Sequence, residues 1–458
     1  MYSEDSKKKV YYLLSDVVAL LVAYKILASF YPYHFFGSNF FGIIFAALLA
    51  LISVLNDEYS NILNRGYFQE FKASIVYGTR TVVLLSLVLI LGKFRFISDI
   101  SSMSYYFLIY LFLVVTALLF LGRVFVKRCL KPKKSDSKKI LLVTDFSDED
   151  KLEEVLKSSN YQVLAYVSHN KRSDLEYPVI WELDGIRDFV ANHQVDEIFI
   201  NTNYQSDFRE IGRYIRLLGI PTTIKADNLS DYYVSDSVVK KLGDLTFVTT
   251  AVNIVKCRQL ILKRLLDIVG ALVGIILTGI AAIVIAPIVK KESPGPLIFK
   301  QKRVGKNGKV FDIYKFRSMY TDAEERKKEL LAQNDLDTNL MFKMEDDPRI
   351  FPFGHKLRDW SIDELPQFIN VLKGDMSLVG TRPPTLDEYQ HYELHHFKRL
   401  TTKPGITGLW QVSGRSDITD FEEVVALDMK YIQDWSFSED IKILAKTVKV
   451  VLKREGSR

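Results

Sequence analysis

The stretch LLDIVGALVGIILTGIAAIVIAPIV, Leu265–Val289, decides how the rest of this chain is arranged. It is long enough for a helix to cross a bilayer, which takes about 20 apolar residues. Lys263 and Arg264 precede it, however, and Lys290 and Lys291 follow it. Basic residues collect on the cytoplasmic side of membrane segments, so both ends belong on one side and the segment must turn back. Thr278 and Gly279 sit at its middle, where helix propensity is weakest, and Pro287 lies near its exit. The sequence therefore predicts a re-entrant helical hairpin broken at Thr278-Gly279, with the freed backbone groups satisfied by side chains or protein. A simple span would instead carry the remainder of the chain out of the cytoplasm.

Upstream, the 458 residues have room for two or three domains. The apolar residues, part of a 48% hydrophobic content, concentrate in the first quarter. They form runs over residues 10–30, 36–55, 74–92 and 104–124, each near spanning length. Asp16 and Lys25 inside the first run argue for a retained span over a cleavable signal. Lys7, Lys8 and Lys9 precede the first run, and Arg65, Lys72 and Arg80 lie between the second and third. The basic cluster VKRCLKPKKSDSKK, from Val126, follows the fourth, whereas Lys93 and Arg95 alone separate the third from the fourth. This balance predicts a four-helix transmembrane domain over 1–125, with the N-terminus and everything after it in the cytoplasm. The net charge of +6 suits anionic lipid or phosphate ligands, although topology signals account for much of it. Cys129 and Cys257 are isolated, without a disulfide framework, as expected for a reducing compartment.

Residues 139–250 alternate short β-branched runs with helical stretches: KILLVTD, DEDKLEEVLKSS, YQVLAYVS, VDEIFINT, DFREIGRYIRLLG and IPTTIKAD. This pattern predicts a Rossmann-like α/β domain with a parallel sheet. The first strand runs into TDFSDED, which lacks the GxGxxG that lets backbone approach a pyrophosphate and places acids where phosphate would sit. A regulatory or assembly role is the better reading of this domain.

The part after Lys290 is polar, basic and punctuated by Gly and Pro, and it holds the candidate chemistry, centred on SIDELPQFINVLKGDMSLVGTRPP, Ser361 to Pro384. Ser361 with Glu364 fits a capping box, and Ile362, Leu365, Ile369 and Leu372 recur at helical spacing. Pro366 fits better if the helix is capped at Asp363, which places the proline in the first turn. Either way, Asp363 and Glu364 are expected at a helix N-terminus, whose dipole favours their ionised form. An ionised pair there can bind a divalent cation and supply a nucleophilic oxygen. Cations recur around it: Lys302 and Arg303, Lys315 and Arg317 in YKFRSM, Arg358, Arg382 in GTRPP, and Lys403 and Arg415 in KPGITGLWQVSGR. Each is set among Gly, Pro and aromatic residues that shape loops, and guanidinium is suited to bidentate phosphate contacts.

KRLLDIVGALVG, GPLIFKQKRVGKNGKVFDIYKFRSM, DDPRIFPFG, SIDELPQFINVLKGDMSLVGTRPP and KPGITGLWQVSGR, in this order over about 256–458, resemble the bacterial sugar transferase family, the monotopic polyprenyl-phosphate phosphoglycosyl transferases. The four apolar runs and the Rossmann-like domain ahead of them resemble its long form. TGLWQVSGR and LVGTRPPTLDEY are most similar to streptococcal-type capsular glucose-phosphate transferases. The resemblance implies a multi-pass bacterial membrane protein with cytoplasmic middle and catalytic domains, the latter mainly α and covering 256–458 with its re-entrant helix at 265–289. It implies transfer of sugar 1-phosphate, glucose first and galactose or an N-acetylhexosamine as alternatives, from a UDP-sugar to undecaprenyl phosphate with release of UMP. Asp363 matches the nucleophile and Glu364 its dyad partner, both also serving Mg²⁺. Lys315, Arg317, Arg358, Arg382 and Arg415 are the candidates for binding substrate phosphate. Membrane lipid, a second copy of the chain and other polysaccharide-assembly proteins are the expected partners, and nucleic acid is not among them.

Two departures from the family pattern stand out. Members commonly carry Ser-Pro where this chain has Thr278-Gly279, and many read Arg-Lys-Thr-Ser where it reads Arg358-Asp359-Trp360-Ser361. Trp360 suits the lipid interface. Among weaker signals, His391 and His395 stand at i, i+4 with Glu388 nearby, but a surface helix explains them without a metal. In the tail, Ile441, Leu444, Val448 and Val451 form an apolar stripe among Lys442, Lys446, Lys449 and Lys453, suited to a membrane surface or to its own domain. The rival reading of the whole chain is a non-catalytic scaffold of polysaccharide assembly, against which the intact Asp363-Glu364 pair speaks.

Overall fold

The structure is a computed structural model that describes residues 6–30, 39–59, 62, 65–92, 105–130, 137–145, 152, 155–156, 161–168, 177–201, 205–225, 237–242, 245–323, 325–326, 347–414, 418 and 420–453. It divides into two units, Ser3–Lys133 with Lys256–Ile261, and Lys134–Val255 with Leu262–Arg458.

The first unit consists of helices α1 (Ser6–Phe30), α2 (Asn39–Leu55), α3 (Tyr67–Gly92) and α4 (Tyr105–Cys129). Ala19, Leu49, Tyr77, Phe107 and Leu119 belong to its buried core, while Val18, Ile109 and Leu121 face outward, as expected of helices whose solvent is lipid. Asp16 of α1 is buried yet ionically satisfied. Arg123 of α4 donates to its two oxygens at 3.0 and 2.8 Å, and the Tyr59 hydroxyl donates at 2.8 Å. Charges at such depth persist only when paired. Among the described residues of the chain, three helices are long and apolar enough to cross a membrane: Lys9–Phe30, Phe107–Cys129 and Cys257–Glu292. The apolar part of α2, Gly42–Leu55, is shorter.

In the second unit a seven-stranded sheet has the order β3-β2-β1-β4-β5-β7-β6. Its strands are β1 (Lys138–Thr144), β2 (Tyr161–Val167), β3 (Val179–Ile180), β4 (Glu197–Asn201), β5 (Thr222–Lys225), β6 (Ser237–Leu242) and β7 (Leu245–Thr250). The first five are parallel, in the 3-2-1-4-5 order of a nucleotide-fold sheet, and β7 and β6 extend the edge antiparallel. Helices α5 (Leu183–Asn192) and α6 (Gln205–Leu218) connect β3 to β4 and β4 to β5. One face of the sheet keeps a core of its own around Ile140, Leu142, Phe199 and Phe247, whereas on the other Leu141, Ile198 and Ile215 share one buried cluster with Tyr389, Tyr392 and Phe397 from far downstream.

Helix α7 (Cys257–Glu292) contains the apolar stretch Leu265–Val289. It runs unbroken through Thr278 and Gly279, so the expected hairpin break there is not formed. Glycine weakens a helix by only about 1 kcal/mol, too little by itself to break a run of this length. The α7 residues Ile285 and Val289 pack with Phe316, Phe351 and Leu357. On the opposite side Val269, Ile276, Ile280, Ile283 and Val284 are exposed.

Beyond α7, the hairpin β8 (Ile298–Val304) and β9 (Val310–Phe316) turns at Lys306–Gly308, with Asn307 left-handed. There follow α8 (Pro352–Asp359), α9 (Gln367–Lys373), β10 (Ser377–Val379), α10 (Leu386–Gln390), a 3₁₀ segment Leu394–Thr401, β11 (Gly405–Thr407), α11 (Phe421–Gln433) and α12 (Phe437–Lys453). β10 and β11 pair in parallel, and a Cβ on Gly405 would run into the backbone of Gly380, so only glycine allows this close approach. α12 buries Asp440 and Ile443 and leaves Ile441 and Val448 exposed.

Candidate active site

Asp363 and Glu364 lie in a single 3₁₀ turn, Ile362–Glu364, between α8 and α9. Trp360 closes α8 and is 40% exposed. Ser361 then takes a left-handed conformation, φ 52° and ψ 25°, uncommon for a residue with a Cβ. Its side chain caps nothing, and the Glu364 N–H donates instead to the Ser361 carbonyl at 3.3 Å. The acids therefore neither form the expected capping box nor cap α9: the left-handed Ser361 sets their turn off from α8, and Leu365 and Pro366 lie between that turn and α9. That helix starts after Pro366, where a missing N–H costs nothing. It stops at Gly374, φ 86°, whose N–H donates to the carbonyls of Asn370 and Val371 at 3.0 Å each.

Lys315, at the end of β9, faces this turn. Its Nζ stands 2.8 Å from Glu364 Oε1 and 3.8 Å from Asp363 Oδ2, so one ammonium serves both acids. Asp363 is buried and Glu364 half-buried. Arg358 of α8 donates from Nε to Ser318 Oγ at 3.1 Å, and the charges of Asp363, Asp347 and Glu364 reach it. Asp347 is in turn gripped by Arg349, with Nε to Oδ1 at 2.8 Å and Nη2 to Oδ2 at 2.6 Å. Burial opposes its charge, but these hydrogen bonds and the nearby Arg358 hold its carboxyl below the ordinary value.

The other expected cations are placed differently. Arg317 is buried and donates to the carbonyls of Pro294, at 3.1 Å, and Ser293, fastening the loop that leaves α7. Its Nε has no hydrogen-bond partner among the described residues, and burial pushes the guanidinium pKa down. Arg382 pairs with Glu388 at 3.3 Å, with Arg303 on the far side of that carboxylate at 4.0 Å. Burial disfavours the Glu388 charge, yet the two arginines and the Thr385 N–H hold its pKa below the usual range. Arg415 lies outside the described residues.

What holds the acid turn was only partly visible in the sequence. Asn370, fully buried in α9, donates to the Asp312 carbonyl at 2.7 Å and accepts from the Tyr314 N–H at 3.1 Å, tying α9 to the strand that carries Lys315. α7 supplies the rest: Arg264 donates to the carbonyls of Val371 and Leu372 at 2.7 and 2.8 Å, and Asp267 accepts from Ser377 Oγ and the Leu378 N–H at 2.8 and 2.9 Å. A buried Asn inside a helix, and an acid within an apolar run, were the signals that could have found Asn370 and Asp267.

The histidines also regroup. His391 meets the Asp387 carbonyl, and Glu388 caps α10 with Thr385, so His391, His395 and Glu388 do not form one set. His395 and His396 converge on Glu422 instead, the three donor groups within 4.8 Å of one another. The Glu393 N–H donates to His396 Nδ1 at 3.0 Å, leaving the proton of the neutral ring on Nε2, 2.7 Å from Glu422 Oε1. That histidine is satisfied without a metal.

Two adjacent carboxylates converging on one cationic group are a hard-oxygen donor set, and they fit the ligand chemistry of Mg²⁺. The same pair, with Lys315 and Arg358 beside it, can offer a nucleophilic oxygen to a phosphate while neutralising the charge that approaches.

The sequence profile of the bacterial sugar transferase family matches residues 258–454. The galactosyl transferase CpsE of Streptococcus agalactiae serotype III is 39% identical over 422 residues, which are 89% of this chain and 92% of that protein. The undecaprenyl-phosphate galactose phosphotransferase of Salmonella typhimurium is 44% identical over 210 residues, 45% of this chain and 43% of that protein. The UDP-glucose:undecaprenyl-phosphate glucose-1-phosphate transferase of Escherichia coli K12 is 40% identical over 195 residues, 41% of this chain and 39% of that protein.

Proposed function

Because the chain belongs to the bacterial sugar transferase family, we propose that it moves a sugar 1-phosphate from a UDP-sugar to undecaprenyl phosphate and releases UMP, opening capsular or exopolysaccharide synthesis at the membrane. The observation that carries this reading is the Asp363-Glu364 pair bridged by Lys315 in a turn fixed from several sides.

In this reading Asp363 attacks the phosphorus that bears the sugar. A bond forms from its carboxylate oxygen, the bond to the bridging oxygen breaks, and UMP departs with the electron pair. An oxygen of the lipid phosphate then attacks the same phosphorus, and the Asp363 carboxylate leaves, giving the lipid diphosphate sugar. Lys315 and Arg358 offset charge on the phosphoryl oxygens, which is where enzymes of this reaction class act most. Glu364 shares Lys315 with Asp363 and orients the incoming phosphate. Bound by Asp363 and Glu364, Mg²⁺ would supply screening between the carboxylates and the diphosphate.

Replacing Asp363 tests the reading. Membranes holding Asp363→Asn, given a UDP-sugar and polyprenyl phosphate, are expected to release UMP at least about a hundredfold more slowly. Undiminished release removes Asp363 as the nucleophile, whereas no release by the wild-type chain above that of membranes lacking it leaves the scaffold reading. The sugar we assign is glucose, on the likeness of the C-terminal motifs to glucose-phosphate members. Galactose is the second reading, favoured by the relative matched over 92% of its length, which is named for galactosyl transfer. Comparing UDP-glucose with UDP-galactose as donor decides between them.

The catalytic part is read as seated on the cytoplasmic face of the membrane. Polar partners contact α7 at Lys263, Asp267 and Thr278, and apolar ones at Val289. Residues 263–289 span about 39 Å at 1.5 Å per residue, and a crossing helix would drag these partners through hydrocarbon. Embedding only the exposed stripe from Val269 to Val284 in one leaflet avoids that cost.

A further inference from the structure

The sheet domain and the catalytic part meet at several polar contacts around their shared core, among them the Tyr389 hydroxyl donating to the Val190 carbonyl at 3.0 Å, and one of them leads to the turn that carries Arg382. Arg187 of α5 donates from Nε and Nη2 to the Tyr392 carbonyl, at 3.2 and 2.9 Å. Tyr392 is fully buried, and its phenolic oxygen accepts from Arg399 Nη1 at 2.8 Å. Arg399 is itself 1% exposed and fixed by Asp428, with Nε and Nη2 at 3.0 and 2.6 Å from Oδ2. The rings of Tyr392 and Phe421 lie 5.9 and 5.3 Å from its guanidinium carbon.

Arg399 ends on the turn that carries Arg382. Its Nη2 reaches the Arg382 carbonyl at 3.5 Å, and its own carbonyl accepts from Thr381 Oγ1 at 3.1 Å. Two successive residues of that turn are therefore referenced to one buried arginine. A buried ion pair such as Arg399-Asp428 adds little net stability over well-packed apolar residues. What it does supply is direction, since a planar guanidinium fixes the angle of each group it touches.

We propose that Arg187 is a positioning residue for the Arg382 turn, acting through Tyr392 and Arg399, so that the sheet domain serves catalysis by holding a phosphate-binding arginine in register. This rests on the reading of Arg382 as a phosphate ligand. Contiguity alone does not establish coupling; a double-mutant cycle does. Asn253 is the control. It joins the same two parts, from Nδ2 to the Ile432 and Gln433 carbonyls at 2.7 and 3.0 Å, without touching Tyr392 or Arg399.

The experiment measures kcat and KM for the UDP-sugar with the full chain in membranes, and the melting temperature of each variant. Arg187→Ala is expected to lower kcat/KM about fivefold, chiefly through KM, with Arg187→Lys recovering part and Asn253→Ala staying within about twofold. In an Arg382→Lys background the Arg187→Ala loss should shrink below about twofold. Equal losses in both backgrounds, an equal loss in Asn253→Ala, or no loss in Arg187→Ala overturn the proposal. A silent Arg382→Lys overturns it at its end point. Failure of the transferase reading shows separately, as UMP release by the wild-type chain no greater than that of membranes lacking it.

Discussion

The hydroxyl of Thr278, inside the apolar helix α7, stands 3.0 Å from the carbonyl oxygen of Leu365, the residue that follows Glu364. It also stands 2.7 Å from the Gly274 carbonyl one helical turn back, so its single hydrogen is shared between the two. The helix that exposes an apolar stripe on one side thus holds the acid turn on the other. Ile362 and Leu365 add apolar contacts to the cluster built on Ile285 and Val289.

Thr278→Val keeps the shape and removes the hydroxyl. The Leu365 carbonyl then loses its donor from α7, at a cost of about 1 kcal/mol. UMP release should fall severalfold while Thr278→Ser stays near wild type. Equal activity in the Val and Ser variants would show that packing alone places the turn.

Lys315→Met removes the ammonium that bridges Asp363 and Glu364 while keeping most of the stem. Loss of one positioned cation at a phosphoryl-transfer site costs about 10²–10³ in turnover. Steady-state UMP release is the readout, and a loss below threefold would remove Lys315 from the site.

Lys263 and Asp440 form a buried pair at 2.6 Å, joined by the Val379 carbonyl and the Tyr431 hydroxyl. Lys263→Met leaves Asp440 charged and unpaired, a change that typically costs about 3–5 kcal/mol. Thermal unfolding in detergent should show a marked drop, and the Lys263→Met/Asp440→Leu double variant should recover much of it.

His396 supplies a pH dependence. Burial lowers its pKa, against the opposing pull of Glu422 and Glu393 and together with the neighbouring His395. The unfolded chain therefore takes up the proton first, near pH 6.5, and stability falls as pH drops below that value until the folded ring protonates as well. Melting temperature measured from pH 7.5 to 5.5 should decline, with a shallower slope in His396→Asn. An unchanged slope would show that other groups carry the dependence.

The site divides between what spacing reveals and what it hides. Asp363 and Glu364 are adjacent, so any local conformation keeps them together, and Lys315 sits in a strand whose register with β8 follows from a short hairpin. Arg317 and Arg382 carry the same residue-type signal as Lys315, yet one fastens a loop with carbonyl contacts and the other pairs with Glu388. A charge in a sequence shows its chemistry but not its partner. The capping-box pattern at Ser361 goes unused, because the backbone there is left-handed.

The sequence by itself determined the apolar first quarter, the α/β alternation of the middle, and the acid pair embedded in its motif, because hydropathy, periodicity and adjacency are local properties. Tertiary structure alone decided that α7 stays helical through Thr278-Gly279, that its polar side chains hold the acid turn, and that the sheet domain shares a core with the catalytic part. Those outcomes rest on contacts such as Thr278 with Leu365, 87 positions apart, and Arg187 with Tyr392, 205 apart. Their free energy depends on which groups the folded chain brings out of water together, and no local window of sequence contains both partners.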